Sequence, residues 1–534
     1  MQEQAQNEVL AHFEDKNTVL LHGVTGSGKT ELYISLIQAA LENGDQVLYL
    51  LPEIALTAQI VNRLKAIFSD QLGVYHSKFS DNERVEVWQG LLDGRFQFIV
   101  GVRSAIFLPF EDLGLIIVDE EHENSYKQYD PAPRYNARDV ALYLAHIHGA
   151  KTILGSATPS IESYANAKSG KYGLVTLTER YGGAQLPEMQ TADVRVERKR
   201  KTIVGNFSSV LVEAISQALE KEEQAIIFQN RRGYSNYVTC EDCGYIPECP
   251  HCAVSLTYHQ YKNQLNCHYC GHKEPVPIVC PACGSTRVRT VGMGTEKIEE
   301  DLKLIFPEAR IQRMDLETTR TKYAYQNIIH EFEKGNIDIL VGTQMISKGL
   351  DFDKVSVVGV FDMDRMIHFP DFRSLERTYQ LVTQVSGRAG RRELPGKVVL
   401  QTGDPDQHIV HLILNQDFEA FYELERRERE KFRYPPFVRM IKILTRSKDR
   451  NLTAEAADKM ANILRSDLGT SRVLGPQEPV INKIRDKYLM DIFLKVERKY
   501  KAEAVKSLIQ QAYLELLQKK EYSSVEFVYD VDPY

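Results

Sequence analysis

A glycine-rich turn near the start of the chain constrains its fold more than any other feature. Residues 23–30 read Gly-Val-Thr-Gly-Ser-Gly-Lys-Thr, after the apolar run Thr18–His22 and before the helical pattern Glu31–Glu42. A strand, such a turn and a helix make up a phosphate-binding P-loop, whose backbone N–H groups surround phosphate oxygens. The turn therefore predicts an α/β fold and a nucleotide site; a plain turn before a helix is the alternative.

The same turn supplies the side chains that nucleotide binding needs. We expect the Lys29 ammonium to lie on the β- and γ-phosphates and the Thr30 hydroxyl to coordinate Mg²⁺. ATP and Mg²⁺ are therefore the predicted ligands. The candidate nucleotide-binding residues of the turn are Gly23, Val24, Thr25, Gly26, Ser27, Gly28, Lys29 and Thr30.

Two candidate catalytic acids follow a second apolar run. Leu113–Val118 ends at Asp119-Glu120-Glu121-His122, so the acids stand at the carboxyl end of a predicted strand. We expect Asp119 to hold Mg²⁺ and Glu120 to act as the general base toward the attacking water. An acidic loop alone would be weak support, but its combination with a P-loop favours ATP hydrolysis.

Apolar runs alternate with amphipathic segments twice along the chain. This alternation predicts two similar lobes, each a doubly wound α/β unit with a buried parallel sheet. The strands predicted for the first lobe are Thr18–His22, Gln46–Leu51, Gln97–Val100, Leu113–Val118 and Thr152–Leu154. Those predicted for the second are Ala225–Gln229, Arg310–Met314, Ile337–Val341, Val355–Phe361 and Gly396–Gln401.

The same patterns give the predicted domain organisation. The first lobe is expected over residues 1–190, and the second over 191–236 and 287–425. A cysteine-rich insertion interrupts the second lobe over 237–286. Residues 430–534 read as a βαββαβ order, which predicts an α+β C-terminal domain of the ferredoxin-like type.

All eight cysteines lie between Cys240 and Cys283, as four C-x2-C pairs. Because a structural zinc ion takes four thiolates, the pairs predict two closed zinc sites, and nearby histidines are not needed as ligands. A catalytic zinc is disfavoured because no ligand position stays open; iron–sulfur ligation is the minor alternative. The predicted metal ligands are Cys240, Cys243, Cys249, Cys252, Cys267, Cys270, Cys280 and Cys283.

Four pairs can combine into two sites in three ways. The separation of Cys249 and Cys252 from Cys267 and Cys270 is close to zinc-ribbon spacing, which favours an inner site from these two pairs. The first and last pairs would then form an outer site. The nested arrangement closes a short inner loop and fastens the insertion at its base.

Composition limits the remaining possibilities. The net charge of −7 gives no general attraction to nucleic acid, so phosphate contacts must come from a local groove. The start of the chain lacks a secretion signal and no run approaches a membrane span, so a cytoplasmic protein without membrane contact is expected. The one basic run, Arg195–Lys201, reads as a linker or a DNA contact.

The order of motifs resembles superfamily 2 helicases, which implies that the two lobes are RecA-like motor lobes. Gly155–Pro159 follows a strand with small hydroxyl residues, and the second lobe carries Gln384–Arg391, in which Arg388 and Arg391 share one helix face. The two arginines suit a finger that reaches the γ-phosphate from the other lobe, although a basic surface helix is the alternative. The resemblance extends to two strand-tracking segments, Leu51–Thr57 and Gly101–Ala105.

A third strand-tracking segment of the superfamily, Val341–Gly349 in the second lobe, implies contacts with both the DNA backbone and ATP. It makes Gly349 a further candidate nucleotide-binding residue.

The finer resemblance is to the PriA family of bacterial replication-restart helicases. It rests on DEEH, Ser125–Gln128, Pro133–Asp139, the four cysteine pairs and Arg433–Phe437. It implies an ATP-dependent DNA helicase that moves 3′ to 5′, remodels abandoned or stalled replication forks and promotes primosome assembly and replicative helicase loading. It also implies the nested cysteine pairing. Family members carry DNA-binding domains before the first lobe, so we expect a truncated or reduced form here.

The resemblance also implies partners, and three other functions stay open as alternatives. The expected partners are branched and single-stranded DNA, helicase-loading proteins of the primosome and single-strand-binding protein. An RNA helicase, a double-strand translocase with little unwinding and a zinc-containing DNA-binding scaffold remain alternatives.

The segment Ser125–Asp139, here called the tyrosine-rich loop, resembles a family loop that contacts DNA. Three tyrosines could stack on bases and three cations could hold phosphates, or the tyrosines could pack on the lobe surface. The residues in question are Tyr126, Tyr129, Tyr135, Lys127, Arg134 and Arg138.

Overall fold

Two parallel sheets, a cysteine-rich insertion and an antiparallel sheet make up the chain. The computed structural model describes residues 2–53, 58–76, 79–180, 186–230, 237–252, 254–259, 263–291, 295–315, 318–319, 324–346, 352–390 and 396–533. None of the helices in this described part combines the length and the apolar character that crossing a membrane requires.

The first lobe is a seven-stranded parallel sheet in the order β3-β4-β2-β5-β6-β1-β7. Its strands are β1 Thr18–Gly23, β2 Gln46–Leu50, β3 Leu72–Tyr75, β4 Phe98–Gly101, β5 Leu113–Asp119, β6 Lys151–Ser156 and β7 Gly173–Leu177. Its helices are α1 Gln2–Asp15, α2 Lys29–Glu42, α3 Ala58–Phe68, α4 Asp81–Leu92, α5 Ala137–His148 and α6 Ile161–Lys168. Because β5, β6 and β1 are neighbours, the segments that follow them meet at one edge of the sheet.

The second lobe is a six-stranded parallel sheet in the order β15-β16-β9-β17-β18-β8. Its strands are β8 Glu188–Asp193, β9 Gln224–Gln229, β15 Ile311–Met314, β16 Ile339–Gly342, β17 Val355–Phe361 and β18 Lys397–Thr402. Its helices are α7 Val194–Arg200, α8 Ser209–Glu220, α9 Thr295–Ile305, α10 Ala324–Glu333, α11 Met363–Ile367, α12 Ser374–Ser386, α13 His408–Leu414 and α14 Phe418–Lys431.

Two β-sheets of the insertion lie between β9 and α9. Strands β10 Tyr237–Cys240 and β14 Val288–Val291 pair antiparallel at its base. A three-stranded antiparallel sheet follows, built from β11 Thr257–His259, β12 Gln264–Asn266 and β13 Lys273–Pro275. Cys240 ends β10, and the other cysteines lie in the turns outside these short strands.

The C-terminal domain is an antiparallel sheet in the order β20-β22-β19-β23, with β21 paired to β22. Its strands are β19 Val438–Ser447, β20 Val473–Gln477, β21 Lys483–Ile484, β22 Lys487–Glu497 and β23 Glu526–Val531, and its helices are α15 Arg450–Leu468 and α16 Ala502–Leu517. The apolar sides of both helices share one core with the sheet. The predicted α+β domain with a βαββαβ order is confirmed.

The basic run Arg195–Lys201 is a helix, not a linker. Its first turn is capped by the Asp193 carboxylate, which accepts from the backbone N–H groups of Arg195 and Val196. The Arg195 guanidinium donates to the Cys243 carbonyl oxygen at 2.6 Å and lies 3.4 Å from the Asp404 carboxylate. The linker interpretation is therefore wrong, and this helix anchors the base of the insertion. Strand β8 crosses the predicted lobe boundary at residues 190 and 191, and the domain bounds stay predictions.

Candidate active site and metal centres

The P-loop residues form a tight turn between β1 and α2. Gly26 and Gly28 have φ values of 80° and 84°, a left-handed conformation that glycine adopts without strain. The Lys29 ammonium donates to the carbonyl oxygens of Gly23 at 2.6 Å and Val24 at 3.4 Å. The positive charge of Lys29 thus lies inside the turn, where the sequence predicts phosphate. Thr30 follows in the first turn of α2.

Asp119 stands at the end of β5 and is held by neighbouring hydroxyls. Tyr33 donates to one carboxylate oxygen at 3.0 Å and Tyr49 to the other at 3.4 Å. The pKa of Asp119 is raised to about 6, first by burial and then by the Glu120 carboxylate, while the Lys29 ammonium opposes the shift. Two buried tyrosines thus orient the predicted metal-binding acid. Tyr33 is not among the residues predicted from the sequence, although it lies four residues after Lys29 and so on the same face of α2.

A hydrogen-bonded chain joins the first lobe to the second through His122. Its Nδ1 lies 2.8 Å from the Ser156 hydroxyl, in the Gly155–Pro159 segment, and its Nε2 lies 2.9 Å from the Gln384 amide nitrogen. The Gln384 amide also reaches the Glu120 carboxylate at 3.5 Å. The three segments that the sequence marks as nucleotide motifs therefore meet at one cleft.

Arg388 comes to the same cleft from the second lobe. Burial lowers the pKa of its guanidinium, and the Glu120 carboxylate opposes that shift. At the preceding residue, Gly387, an added Cβ would lie 3.1 Å from the Thr25 side chain, so the backbone of the second lobe closely approaches the P-loop. Of the other predicted residues, Arg391 and Gly349 lie outside the described residues, as do residues 54–57 and 347–349 of the strand-tracking segments.

A buried ion network fixes the two lobes beside this cleft. Arg429, on α14, pairs with Glu376 at 2.7 Å and with Glu162 of the first lobe at 3.3 Å. Arg373 pairs with the same two carboxylates at 3.1 and 2.7 Å. Although burial favours its neutral form, the two arginines hold the pKa of Glu376 down to about 2. The sequence analysis missed this network, because its members share no local pattern.

Half of the tyrosine-rich loop is buried rather than open to a ligand. Tyr126 is 1% exposed and donates to backbone oxygens, Lys127 is equally buried in an ion pair, and Arg138 lies 3.0 Å from the Glu121 carboxylate. The prediction that these three contact DNA is wrong, because their polar groups are already satisfied inside the protein. Tyr129 is 45% exposed, while Tyr135 packs edge-on against a phenylalanine.

The eight cysteines form two groups of four, paired as the nested arrangement predicts. One group is Cys240, Cys243, Cys280 and Cys283, and the other is Cys249, Cys252, Cys267 and Cys270; the sulfurs of each group lie within 4.8 Å of one another. Tetrahedral Zn–S bonds of about 2.3 Å separate sulfurs by roughly 3.8 Å. Three of the sulfur pairs lie 3.5 to 3.6 Å apart, so both groups fit zinc.

Histidines near the cysteines have other partners. His268 Nδ1 lies 2.8 Å from the Glu478 carbonyl oxygen, and His272 Nε2 lies 2.7 Å from the Glu274 carboxylate. Each zinc group thus consists of four thiolates alone, with no open ligand position for catalysis.

Four family models match the chain in the order of its units. They are a DEAD/DEAH box helicase over residues 2–167, the PriA DNA helicase Cys-rich region domain over 249–275, a helicase conserved C-terminal domain over 285–393 and the primosomal protein N C-terminal domain over 430–534. The replication restart protein PriA of Chlamydia pneumoniae is 41% identical over 97% of this chain and 69% of its own length. The chain belongs to the PriA family.

Other PriA proteins show the same extent of similarity. The Bacillus subtilis replication restart protein PriA is 44% identical over 98% of this chain and 64% of its own length, so the chain spans less than two thirds of that relative. The Haemophilus influenzae PriA is 38% identical over 97% of this chain and 70% of its own length.

Among solved structures, RecG bound to a three-way DNA junction aligns with a TM-score of 0.48 and 18% identity over 79% of this chain and 46% of that one.

The contact of Gln384 with His122 and Glu120 gives a first prediction. Gln384→Ala should lower kcat for ATP about tenfold, because its buried contacts with the Glu120 carboxylate and the His122 ring are lost, and leave KM within about twofold, because the P-loop is untouched. Gln380→Ala is the matched control: it lies one turn earlier on α12 and reaches Thr158 at 3.4 Å instead. Steady-state ATPase assays with DNA present measure both. An equal loss of kcat in the control would remove the special role of Gln384.

Proposed function

We propose that this chain is the motor of an ATP-dependent DNA helicase that moves 3′ to 5′ and remodels abandoned or stalled replication forks. The observation that supports this most is the meeting of Lys29, Glu120, Ser156 and Gln384 at one cleft between two lobes. Membership of the PriA family, whose curated members are named replication restart proteins, adds the context of replication.

In the proposed mechanism each side chain has one task. Lys29 and the P-loop backbone hold the β- and γ-phosphates of ATP, and Glu120 accepts a proton from the attacking water. Arg388 and Arg391 approach the γ-phosphate from the second lobe and stabilise the charge that develops there. Mg²⁺, when bound by Asp119 and Thr30, neutralises phosphate charge. Gly349 completes the nucleotide contacts from the second lobe.

Closure and opening of the lobes convert hydrolysis into movement. The chain from Ser156 through His122 to Gln384 links the first lobe to the second, so its geometry depends on how closely the lobes approach. Strand-tracking segments on both lobes would exchange their grip on DNA phosphates with each cycle. Such contacts are independent of sequence and weaken as salt rises.

The proposed partners follow from the family. Branched and single-stranded DNA are the substrates, and helicase-loading proteins of the primosome and single-strand-binding protein are the protein partners. Action on replicating DNA places the protein in the cytoplasm.

The proposal predicts ATP hydrolysis that depends on DNA. ATPase should rise at least about tenfold with single-stranded or forked DNA at fixed salt, and the stimulation should weaken as salt increases. A DNA duplex with a 3′ tail should be displaced much faster than one with a 5′ tail or an RNA duplex. Equal displacement of RNA would favour the RNA helicase. DNA-stimulated ATPase without displacement would favour the double-strand translocase, and DNA binding without ATPase the zinc-containing scaffold.

A further inference from the structure

The last strand of the C-terminal domain ends against the tyrosine-rich loop of the first lobe. The Lys127 ammonium lies 2.7 Å from the Asp530 carboxylate, and their side chains are 1% and 4% exposed. Lys127 also donates to the backbone oxygens of Val531 at 2.6 Å and of Arg134 at 3.2 Å. Arg134 adds a second positive charge 3.7 Å from Asp530. A buried ammonium thus finds its acceptors on two domains.

The residue before Lys127 supports the catalytic strand directly. The Tyr126 hydroxyl donates to the backbone oxygen of Asp119 at 2.7 Å and to that of Leu50 at 3.0 Å. Tyr126 therefore joins the ends of β5 and β2 beneath the predicted metal-binding acid. Any shift of Lys127 is passed to Tyr126 through a single peptide unit.

The loop is also connected to a predicted strand-tracking segment. Arg103, within Gly101–Ala105, donates to the Lys127 backbone oxygen at 2.9 Å. The side chain of Lys127 is thus held by the C-terminal domain, while its backbone is held by a segment expected to follow DNA. At Lys127 the loop thus connects the C-terminal domain with this segment of the first lobe, and the neighbouring Tyr126 adds the end of β5.

A buried lysine makes this junction dependent on both domains. An ammonium group removed from water is costly unless acceptors surround it, and here the acceptors belong to the end of β23 and to the loop itself. Undocking the C-terminal strand would leave the charge unpaired, so the loop would have to move with it. The position of the loop and the docking of the C-terminal domain are therefore coupled.

We propose that Lys127 and Asp530 are positioning residues through which the C-terminal domain sets the loop beneath Asp119 and thereby the response of ATP hydrolysis to DNA. Only the effect on ATP hydrolysis rests on the proposed function. The position of the loop is a property of the folded chain with or without a nucleotide.

The test uses the full chain with Asp530→Asn, Lys127→Met and the combination of both. Glu526→Gln is the matched control: it lies on the same strand, but it pairs with Arg446 at 2.7 Å and with Lys487, inside the C-terminal domain. Amide hydrogen exchange of residues 124–139, the melting temperature and the ratio of ATPase with and without DNA are measured for each variant.

Exchange in the loop should rise at least about tenfold in Asp530→Asn, and the DNA stimulation ratio should fall at least about fivefold, with neither change in Glu526→Gln. The double variant should recover melting temperature, because no buried ammonium is left without its carboxylate and the Arg134 side chain is 17% exposed, but it should not recover stimulation. A melting temperature that recovers while DNA stimulation does not would distinguish a positioning role from an effect on stability alone. KM for ATP should stay within about twofold, since the P-loop is untouched.

Loop exchange in Asp530→Asn within about twofold of wild type would overturn the inference. So would raised exchange with an unchanged stimulation ratio, because the loop would then move without consequence. If wild-type protein shows no DNA stimulation, the proposed function fails, while the exchange data still decide whether the C-terminal domain positions the loop.

Discussion

Lys29→Ala or Glu120→Gln should reduce ATP turnover at least about a thousandfold. Lys29 is the positive charge inside the P-loop turn, where its ammonium donates to the Gly23 and Val24 carbonyl oxygens. Glu120 is the carboxylate on which Gln384 and Arg388 of the second lobe converge. Removing the first weakens the hold on the phosphates, and removing the second takes away the proton acceptor. Single-turnover and steady-state ATPase assays measure the loss.

Both variants should still bind DNA within about threefold of wild type, because the strand-tracking contacts are to phosphates elsewhere on the lobes. Lys171→Ala, which removes an exposed lysine of the same lobe, is the control for charge and should keep full turnover. Turnover within tenfold of wild type in either Lys29→Ala or Glu120→Gln would contradict the assignment of this site. Parallel loss of DNA binding would indicate a folding defect instead.

The strands that the sequence predicted include every central strand of the two lobes and one edge strand, β15. All of them are present to within about two residues, and the central ones were recognisable because a strand buried on both faces is a continuous apolar run. The strands that were not predicted are β3, β7 and β8. Strands β3 and β7 are the two edges of the first sheet, and β8 is an edge of the second. Strand β8, Glu188–Asp193, is largely polar, while β3 and β7 are runs of only four and five residues that contain glycine, so each resembles a loop in the sequence.

The candidate site was predictable where its chemistry is local. Lys29 and Thr30 belong to one continuous motif, and Asp119 and Glu120 to another, so spacing alone named them. The sequence could not supply Tyr49 or the Arg429 network, because their partners lie far away along the chain. The catalytic and ligand roles of Lys29, Thr30, Asp119 and Glu120 stay predictions.

The tyrosine-rich loop shows how an inference from a family resemblance can fail for particular side chains. Alternating tyrosines and cations predict stacking on bases, but the pattern does not say which side chains are buried. The C-terminal strand covers Lys127 from more than four hundred positions away, with Asp530 as its partner. Only a long-range contact could have revealed that this cation serves the protein interior.

The two zinc groups should differ sharply in what their loss does. In the inner group, Cys252 and Cys267 belong to one apolar cluster with Phe372 of the second lobe and Tyr434 and Phe493 near the C-terminal domain. The Tyr434 hydroxyl donates to the Cys252 carbonyl oxygen at 2.8 Å, and its ring stacks on Phe372 with centroids 4.3 Å apart. The inner zinc therefore lies in a core shared between domains.

None of the four outer cysteines belongs to this apolar cluster, although Val238, on the adjoining strand β10, does. Cys283 is exposed, and Arg287 and Arg289 next to the group form ion pairs at the surface. Its zinc closes the base of the insertion, where β10 pairs with β14. Its loss should loosen the insertion without separating the second lobe from the C-terminal domain.

Wild-type protein should contain two zinc ions, and Cys267→Ser with Cys270→Ser or Cys280→Ser with Cys283→Ser should each leave one. The inner pair should lower the melting temperature by at least about 5 °C, because zinc binding supplies folding free energy to a core that also holds the C-terminal domain. The outer pair should cost less than half of that shift. Metal analysis and calorimetry measure both quantities. Equal losses of stability would contradict the shared core, and a single zinc or iron–sulfur absorbance in the wild type would contradict the two-site assignment itself.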